Sequence, residues 1–162
     1  MTTISNSNAN IIERLGGERD FQFIVMALVD RLQEDRRLAK YFGKQHFDTN
    51  DLTRLQEEFL KSCFTNSASS VVNGNKTNQD KAVVGHITVR YYALIDQGFN
   101  ERHFDKMVQH FVEALEDAWI DDQNGVIADA VSTLNSYRHI FERRSRRKLT
   151  ATLSGESLGS VQ

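Results

Sequence analysis

The chain has 162 residues, 40% of them hydrophobic, and a formal net charge of −2. This length fits one domain around one core, and the near-neutral charge argues against an overall attraction to nucleic acid. The single cysteine, Cys63, excludes an intramolecular disulfide, and no stretch reaches the roughly 18 apolar residues of a membrane span. The N-terminus lacks the pattern of a secretory signal, so we expect a soluble intracellular, cytoplasmic protein.

The first half of the chain carries amphipathic helical patterns behind a polar start. Residues 1–10 are rich in Ser, Asn and Thr and are predicted to form a flexible N-terminal arm. The pair Gly16-Gly17 marks a turn, and apolar residues then recur at helical spacing over 18–34. A short helix in "RRLAKYF" and an amphipathic helix capped near Thr49 follow.

The second half is predicted to contain a long loop and three further helices. The polar stretch 65–80 is predicted to be the loop, and a helix over 81–97 should stop at Gly98. Apolar residues then step by three and four as far as Trp119, which we expect to anchor the core. A last helix should run over 126–141. The chain is free of proline, which suits an all-α fold of about six helices.

These patterns predict a domain over 11–142 followed by a tail over 143–162. The tail begins with "RRSRRK", which places five positive charges in six residues: Arg143, Arg144, Arg146, Arg147 and Lys148. Such a run is either a solvated helix end that interacts with the helix dipole, or a docking segment for an acidic partner. Because the overall charge is near neutral, we favour a protein partner, bound through this tail or the domain surface, over nucleic acid.

Four motifs in order resemble the truncated hemoglobins, the two-on-two globins, and most nearly their group I. The motifs are "ERLGGE", "VDRLQEDRRLAKYF", "LTRLQEEFL" and "GFNERHFDKMVQHFVEAL". The resemblance implies a truncated-globin-like fold with a heme pocket. It places Phe42, or alternatively Phe47, at the heme-packing phenylalanine, and Leu52 and Gln56 at the inward positions of the distal helix. There Gln56 would donate a hydrogen bond to a bound ligand, unless it is simply a polar residue at a helix boundary.

Two positions depart from the family's pattern. The family usually has Phe-Tyr in the second helix, whereas this chain has Leu28-Val29, so the tyrosine hydroxyl that stabilises bound oxygen is replaced by apolar Val29. Aligned back from "GFNERHF", Leu94 falls where the proximal histidine belongs. Leucine cannot coordinate iron, and a five-coordinate heme iron needs an imidazole, thiolate or phenolate on its proximal side.

His86 is the candidate for a displaced iron ligand. It lies seven residues before Ala93, which is within roughly 20° of the same helix face but about 10 Å away along the axis. His86 could therefore ligate iron only if the alignment of this helix with the family's pattern shifts by two helical turns. Otherwise it is a partly exposed histidine at a helix start. His46 is a weaker distal candidate.

The other chemical side chains have simpler explanations. Cys63 is expected to be a core residue rather than a reactive thiol, and Tyr91 and Tyr92 are expected to pack rather than to ligate. His103 and His110 lie outside the apolar stripe of their helix, so we expect surface or edge positions.

The sequence supports two hypotheses about function. In the first, the globin-like domain has lost conventional proximal ligation, needs no cofactor, and acts as an interaction or regulatory module. In the second, it binds heme b and a ligand such as O2, NO or CO through a displaced residue such as His86. An enzyme is not expected, because the sequence contains no paired-carboxylate pattern, no glycine-rich phosphate loop and no nucleophile–base spacing. The oligomeric state is left open.

Overall fold

A computed structural model describes residues 10–65, 78–120, 122 and 125–142, except for the side chains of 78–80. Within these ranges the chain forms seven α-helices, a 3₁₀ helix and no strand, which confirms the all-α prediction. The helices are α1 (Ile11–Arg14), α2 (Glu18–Glu34), α3 (Ala39–Phe42), α4 (Thr49–Thr65), α5 (Asn78–Asp96), α6 (Glu101–Asp117), α7 (Val126–Asn135) and the 3₁₀ helix Arg138–Phe141.

Several predicted boundaries fall at or beyond the edges of the described residues. The predicted loop over 65–80 is helical at both described ends, because α4 includes Thr65 and α5 begins at Asn78. The rest of that loop, the arm before Asn10 and the whole tail over 143–162 lie outside the described residues. Their predicted character therefore stays a prediction.

The centre of the fold is the antiparallel pair formed by α2 and α6; α4 packs against α2, and α5 packs chiefly against α4. Arg31 of α2 forms ion pairs with Glu113 and Asp117, each at 2.7 Å. One turn later, Asp35 lies 2.7 Å from Nε2 of His110. These pairs run in opposite directions along the two helices and fix their register, so the apolar faces of both helices meet in the core.

The start of α6 is held by a reciprocal cap. The Asn100 side chain accepts a hydrogen bond from the backbone N–H of Arg102, and the Asn100 N–H donates to Nδ1 of His103 at 3.0 Å. Burial and the nearby charge of Lys40 lower the pKa of His103, which keeps that nitrogen free to accept. His103 is therefore a capping residue, and two backbone donors at the helix start are satisfied.

Three helices end in the same hydrogen-bonded turn, the Schellman motif. In each, a backbone N–H donates to a carbonyl five residues back: Gly17 to Ile12, Phe99 to Leu94 and Ile120 to Leu115. The residue before each donor has a positive φ: Gly16 at 114°, Gly98 at 109° and Trp119 at 56°.

Trp119 corrects the prediction that it anchors the core. Its side chain is 92% exposed. The apolar stripe of α6 ends with Leu115, and the left-handed turn at Trp119 then swings its side chain away from the core.

The predicted last helix over 126–141 is broken in the structure. It ends at Asn135, and the chain tightens into the 3₁₀ helix Arg138–Phe141. This change of path buries Phe141, whose ring stacks on Phe104 with centroids 5.0 Å apart. The tertiary contact with α6 thus overrides the continuous helical pattern.

Candidate functional site

A cleft lies between α4 and α5, and residues of the segment that joins α3 to α4 also line it. We call it the α4–α5 cleft. Its volume is about 500 Å³, which is within the usual range for small-molecule sites. Its lining consists of Tyr41, His46, Phe47, Asp51, Arg54, Leu55, Glu58, Arg90, Ala93, Leu94 and Gln97.

The two helices each contribute four lining residues at one spacing. On α4 these are Asp51, Arg54, Leu55 and Glu58, and on α5 they are Arg90, Ala93, Leu94 and Gln97. Both sets follow the pattern i, i+3, i+4, i+7, which defines a single stripe along a helix. The cleft is therefore formed by two facing helix stripes with charged or amide ends; the middle is Ala93 and Leu94 on α5, and Arg54 and Leu55 on α4.

An ion pair connects the two walls of the cleft. Arg90 of α5 lies 2.9 Å from a carboxylate oxygen of Glu58 on α4. Arg54 also lines the cleft and has no ion-pair partner among the described residues. The cleft thus contains the guanidinium of Arg90, which is paired with Glu58, and the unpaired guanidinium of Arg54. Together with the apolar side chains of Leu55 and Leu94, these groups suit an amphipathic occupant.

Of the five pocket positions carried over from the family, the structure places one in the cleft lining. Leu94 lines the cleft and is 6% exposed. Phe47, the alternative to Phe42, is also in the lining. The single imidazole in the lining is that of His46, in the segment between α3 and α4.

The other four pocket positions lie in the core instead. Phe42, Val29 and Leu52 are each at most 1% exposed and are not part of the lining. On α4 the cleft stripe passes through Asp51 and Leu55, so the residues next to them in sequence turn inward. The α4 side of the cleft is formed by Asp51, Arg54, Leu55 and Glu58, whereas Leu52 and Gln56 lie in the core; their predicted role toward a ligand stays a prediction.

Gln56 is the one fully buried polar side chain among the described residues. Neither Nε2 nor Oε1 has a hydrogen-bond partner, and the packing gap beside it, lined by Leu28 and Met107, is too narrow for water. Gln56 is thus neither a boundary residue nor a cleft residue. An unpaired amide in the core is destabilising.

Tyr91 and Cys63 are core residues, as expected. Tyr91 is 0% exposed, and its hydroxyl donates to the sulfur of Met107 at 3.9 Å. Burial raises the pKa of this phenol, and the nearby amide of Gln56 partly offsets the rise. The amide does not form a hydrogen bond of normal geometry with the phenol. Burial likewise raises the pKa of the Cys63 thiol. Neither group supplies an anionic ligand at neutral pH.

The remaining histidines lie away from the cleft lining. His86 is exposed, one helical turn before Arg90 on the same side of α5. His110 is half-buried between Asp35 and Glu113, where it joins α2 to α6. Among the described residues, no cluster of three or more His, Cys, Asp or Glu side chains forms a metal site.

Sequence reasoning missed most of the cleft. The spacing of Asp51, Arg54 and Glu58 and that of Arg90 and Gln97 were visible signals. The sequence alone does not distinguish such a stripe from a solvated helix face, because charged stripes usually are solvated.

The comparisons with known proteins support the fold. The crystal structure of Chlamydomonas reinhardtii THB4, a truncated hemoglobin, matches with a TM-score of 0.57 and 26% sequence identity. The match covers 82% of this chain and 94% of that one. No protein-family model and no curated protein sequence matches the chain. The fold is therefore truncated-globin-like, as the motifs predicted. Across the described ranges, no helix is long and apolar enough to cross a membrane.

Proposed function

We propose that this protein is a truncated-globin-fold module that does not hold heme through a proximal histidine and acts by interaction or regulation rather than catalysis. The observation that carries the proposal is Leu94. It lies where the resemblance places the proximal histidine, and its side chain lines the cleft. No step of chemistry is assigned to the cleft.

The donor set of α5 supports this proposal. The α5 side chains in the cleft are those of Arg90, Ala93, Leu94 and Gln97, which provide no imidazole, thiolate, thioether or phenolate. Of the two nearby phenols, Tyr91 is turned into the core, and Tyr92, which was expected to pack, is 37% exposed and outside the cleft lining. A conventional heme b site does not fit this wall.

The ion pair of Arg90 with Glu58 supports the proposal independently. It joins α4 to α5 at 2.9 Å across the α4–α5 cleft. An occupant that reaches between the two helices at this point has to separate these charges first. The cleft is thus better suited to a smaller amphipathic occupant, or to serving as a fixed surface, than to a large planar ring.

A hemin titration of the purified protein, followed by absorbance, tests the proposal. We expect no Soret band that saturates at one heme per chain, and a spectrum that is unchanged by His86→Ala. A sharp band that saturates at one equivalent would overturn the proposal.

Heme b binding is the second candidate, and the observation that favours it is His46. A displaced ligand at His86 has less support, because that side chain is exposed outside the lining, whereas His46 lies inside it. If hemin does bind, His46→Ala should abolish or shift the Soret band and His86→Ala should not. A band sensitive only to His86→Ala would contradict this assignment.

A further inference from the structure

The end of α6 has a tryptophan at a position where the same turn elsewhere in the chain has glycine. Gly16 and Gly98 occupy the left-handed position of the turns that end α1 and α5, and Trp119 occupies it after α6. A residue with a β-carbon is disfavoured in this conformation, and bulky ones are rarely found there. The local backbone would therefore be more stable with glycine.

The tryptophan side chain gives the fold no packing in return. It is 92% exposed, whereas its neighbour Ile120 is partly buried against the core. A strained residue whose side chain contributes nothing to the core is a recognised indication of a functional contact. Trp119 is thus available to bind something outside the domain.

The surroundings of Trp119 are acidic. Glu116, Asp117 and Asp122 are exposed within three residues of it, and Asp117 also pairs with Arg31. The carbonyl end of α6 adds partial negative charge. We call Glu116, Asp117, Trp119 and Asp122 the Trp119 surface. An exposed indole face beside carboxylates favours a guanidinium, which can stack on the ring and pair with the acids.

We propose that the Trp119 surface binds the basic segment 143–148 of a second copy of this chain. The chain supplies both halves of this contact: an acidic aromatic surface on α6 and the arginine-rich "RRSRRK". Opposite charges at the two sites steer and orient such a contact. The contact is heterologous, because each copy offers a different surface to the next.

Chain length favours a second copy over the same copy. The last described residue, Glu142, lies beside Arg138, which is paired with Asp105 near the start of α6. Trp119 is about 21 Å further along the axis, at 1.5 Å per residue. Four residues of fully extended chain, from Glu142 to Arg146, span at most about 14 Å. Only the last residue, Lys148, can reach its own Trp119, and only along a fully extended chain, whereas a second copy can present all five basic residues.

The only tryptophan of the chain reports directly on this contact. We would prepare a tail variant in which the five basic residues of 143–148 are changed to Gln, which keeps its Trp119 surface, and a Trp119→Gly variant, which keeps its tail. When the Trp119→Gly variant is added to the tail variant, the tryptophan emission of the tail variant should shift to the blue. The shift should saturate and should weaken with added salt. A tail variant that also carries Trp119→Gly, added in the same amount, is the matched control and should have no effect on the emission.

No shift on mixing would overturn the proposal, and so would an equal shift with the matched control. A peptide of residues 143–148 should reproduce the shift, whereas its Gln-substituted version should not. A shift with the peptide but none on mixing would mean that the basic partner is another protein, and the second copy would be excluded.

The stability of Trp119→Gly separates a binding role from a structural one. We expect a higher unfolding temperature together with lost self-association in sedimentation. A lower unfolding temperature would show that the indole serves the fold and would overturn the inference. This inference rests on the proposed function in one respect: both assume that the chain acts by binding a partner, here through its basic segment. The hemin titration measures binding in the α4–α5 cleft and not at the Trp119 surface, so the two proposals can fail separately.

Discussion

The two sides of α4 differ in a way that separates the fold from the site. The inner side buries Leu52, Phe59, Leu60 and Cys63, each at most 3% exposed. The cleft side presents an acid, a base and an acid around a single leucine, Leu55. One helix therefore carries a packed face, which determines stability, and a mixed-charge face, which is free to determine what binds.

This difference explains how a truncated-globin-like fold can be kept while its cleft changes. Core packing depends on the volume and apolar character of the buried side chains. Charges at Arg54, Glu58 and Arg90 lie outside that packing, so substitutions there change the occupant of the cleft more than the stability of the domain.

The largest expected effect compares two leucines on opposite sides of α4. Leu60→Ala should lower the free energy of unfolding by about 3–4 kcal/mol, because it leaves a cavity in the packed core. Leu55→Ala, which opens onto an existing cleft, should cost at most about 2 kcal/mol. Urea denaturation of both variants measures the difference. Equal losses would contradict the distinction between the two sides.

The next effect concerns a buried polar group that has partners, in contrast to Gln56. Burial alone would raise the pKa of Asp35, but hydrogen bonds from His110 and Arg37 outweigh it and lower the pKa to about 2. A lowered pKa stabilises the fold above the unfolded value near 3.9, and this stabilisation is lost as the pH falls toward about 2.

Asp35→Asn should therefore cost roughly 2 kcal/mol at pH 7 and much less at pH 2.5. Urea denaturation at both pH values measures the change. Asp30→Asn, at an exposed position of α2, is the control and should show little change at either pH. A loss for Asp35→Asn that is the same at both pH values would exclude linkage to this carboxyl.

A smaller effect of opposite sign is expected at Gln56. Replacing this unpaired, fully buried amide by methionine removes an unsatisfied polar group and keeps the volume, so Gln56→Met should stabilise the domain by about 1 kcal/mol. Thermal and urea unfolding both measure it. A loss of stability would mean that the amide has a partner, which would weaken the view of the inner side of α4 as pure packing.

The smallest effect belongs to the ion pair across the cleft. The side chains of Arg90 and Glu58 are 49% and 33% exposed, so solvent screens their attraction. Arg90→Gln should change the free energy of unfolding by less than about 1 kcal/mol. In a double-mutant cycle, adding Glu58→Gln to Arg90→Gln should cause no further loss of stability. A coupling energy of several kcal/mol would show instead that this ion pair is important for the stability of the fold.

The fold was predictable from the sequence because its determinants are periodic. The apolar spacing of α2, α4 and α6 and the cap at Asn100 fixed the main helices within a few residues of their bounds. The break after Asn135 was not predictable, since it depends on the contact of Phe141 with Phe104. Trp119 was misjudged for a related reason: it continues the apolar spacing, but the helix ends just before it.

The cleft was less predictable than the fold. Leu94, predicted at the proximal position, lines the cleft, whereas Leu52 and Gln56, predicted at the distal positions, lie in the core. A shift of one residue along α4 rotates a side chain by about 100°, so a small error in alignment exchanges the two sides of the helix. The roles of all these side chains toward a ligand stay predictions.

The most direct test of the central claim is a hemin titration of the unmodified protein beside Leu94→His, with Leu94→Asn as a polar control that cannot ligate iron well. The account predicts no saturable Soret band for the unmodified protein or the control, and a band that saturates at one heme for Leu94→His, because this substitution restores an imidazole to the α5 wall of the cleft. A one-to-one band in the unmodified protein, unchanged by either substitution, would contradict the account.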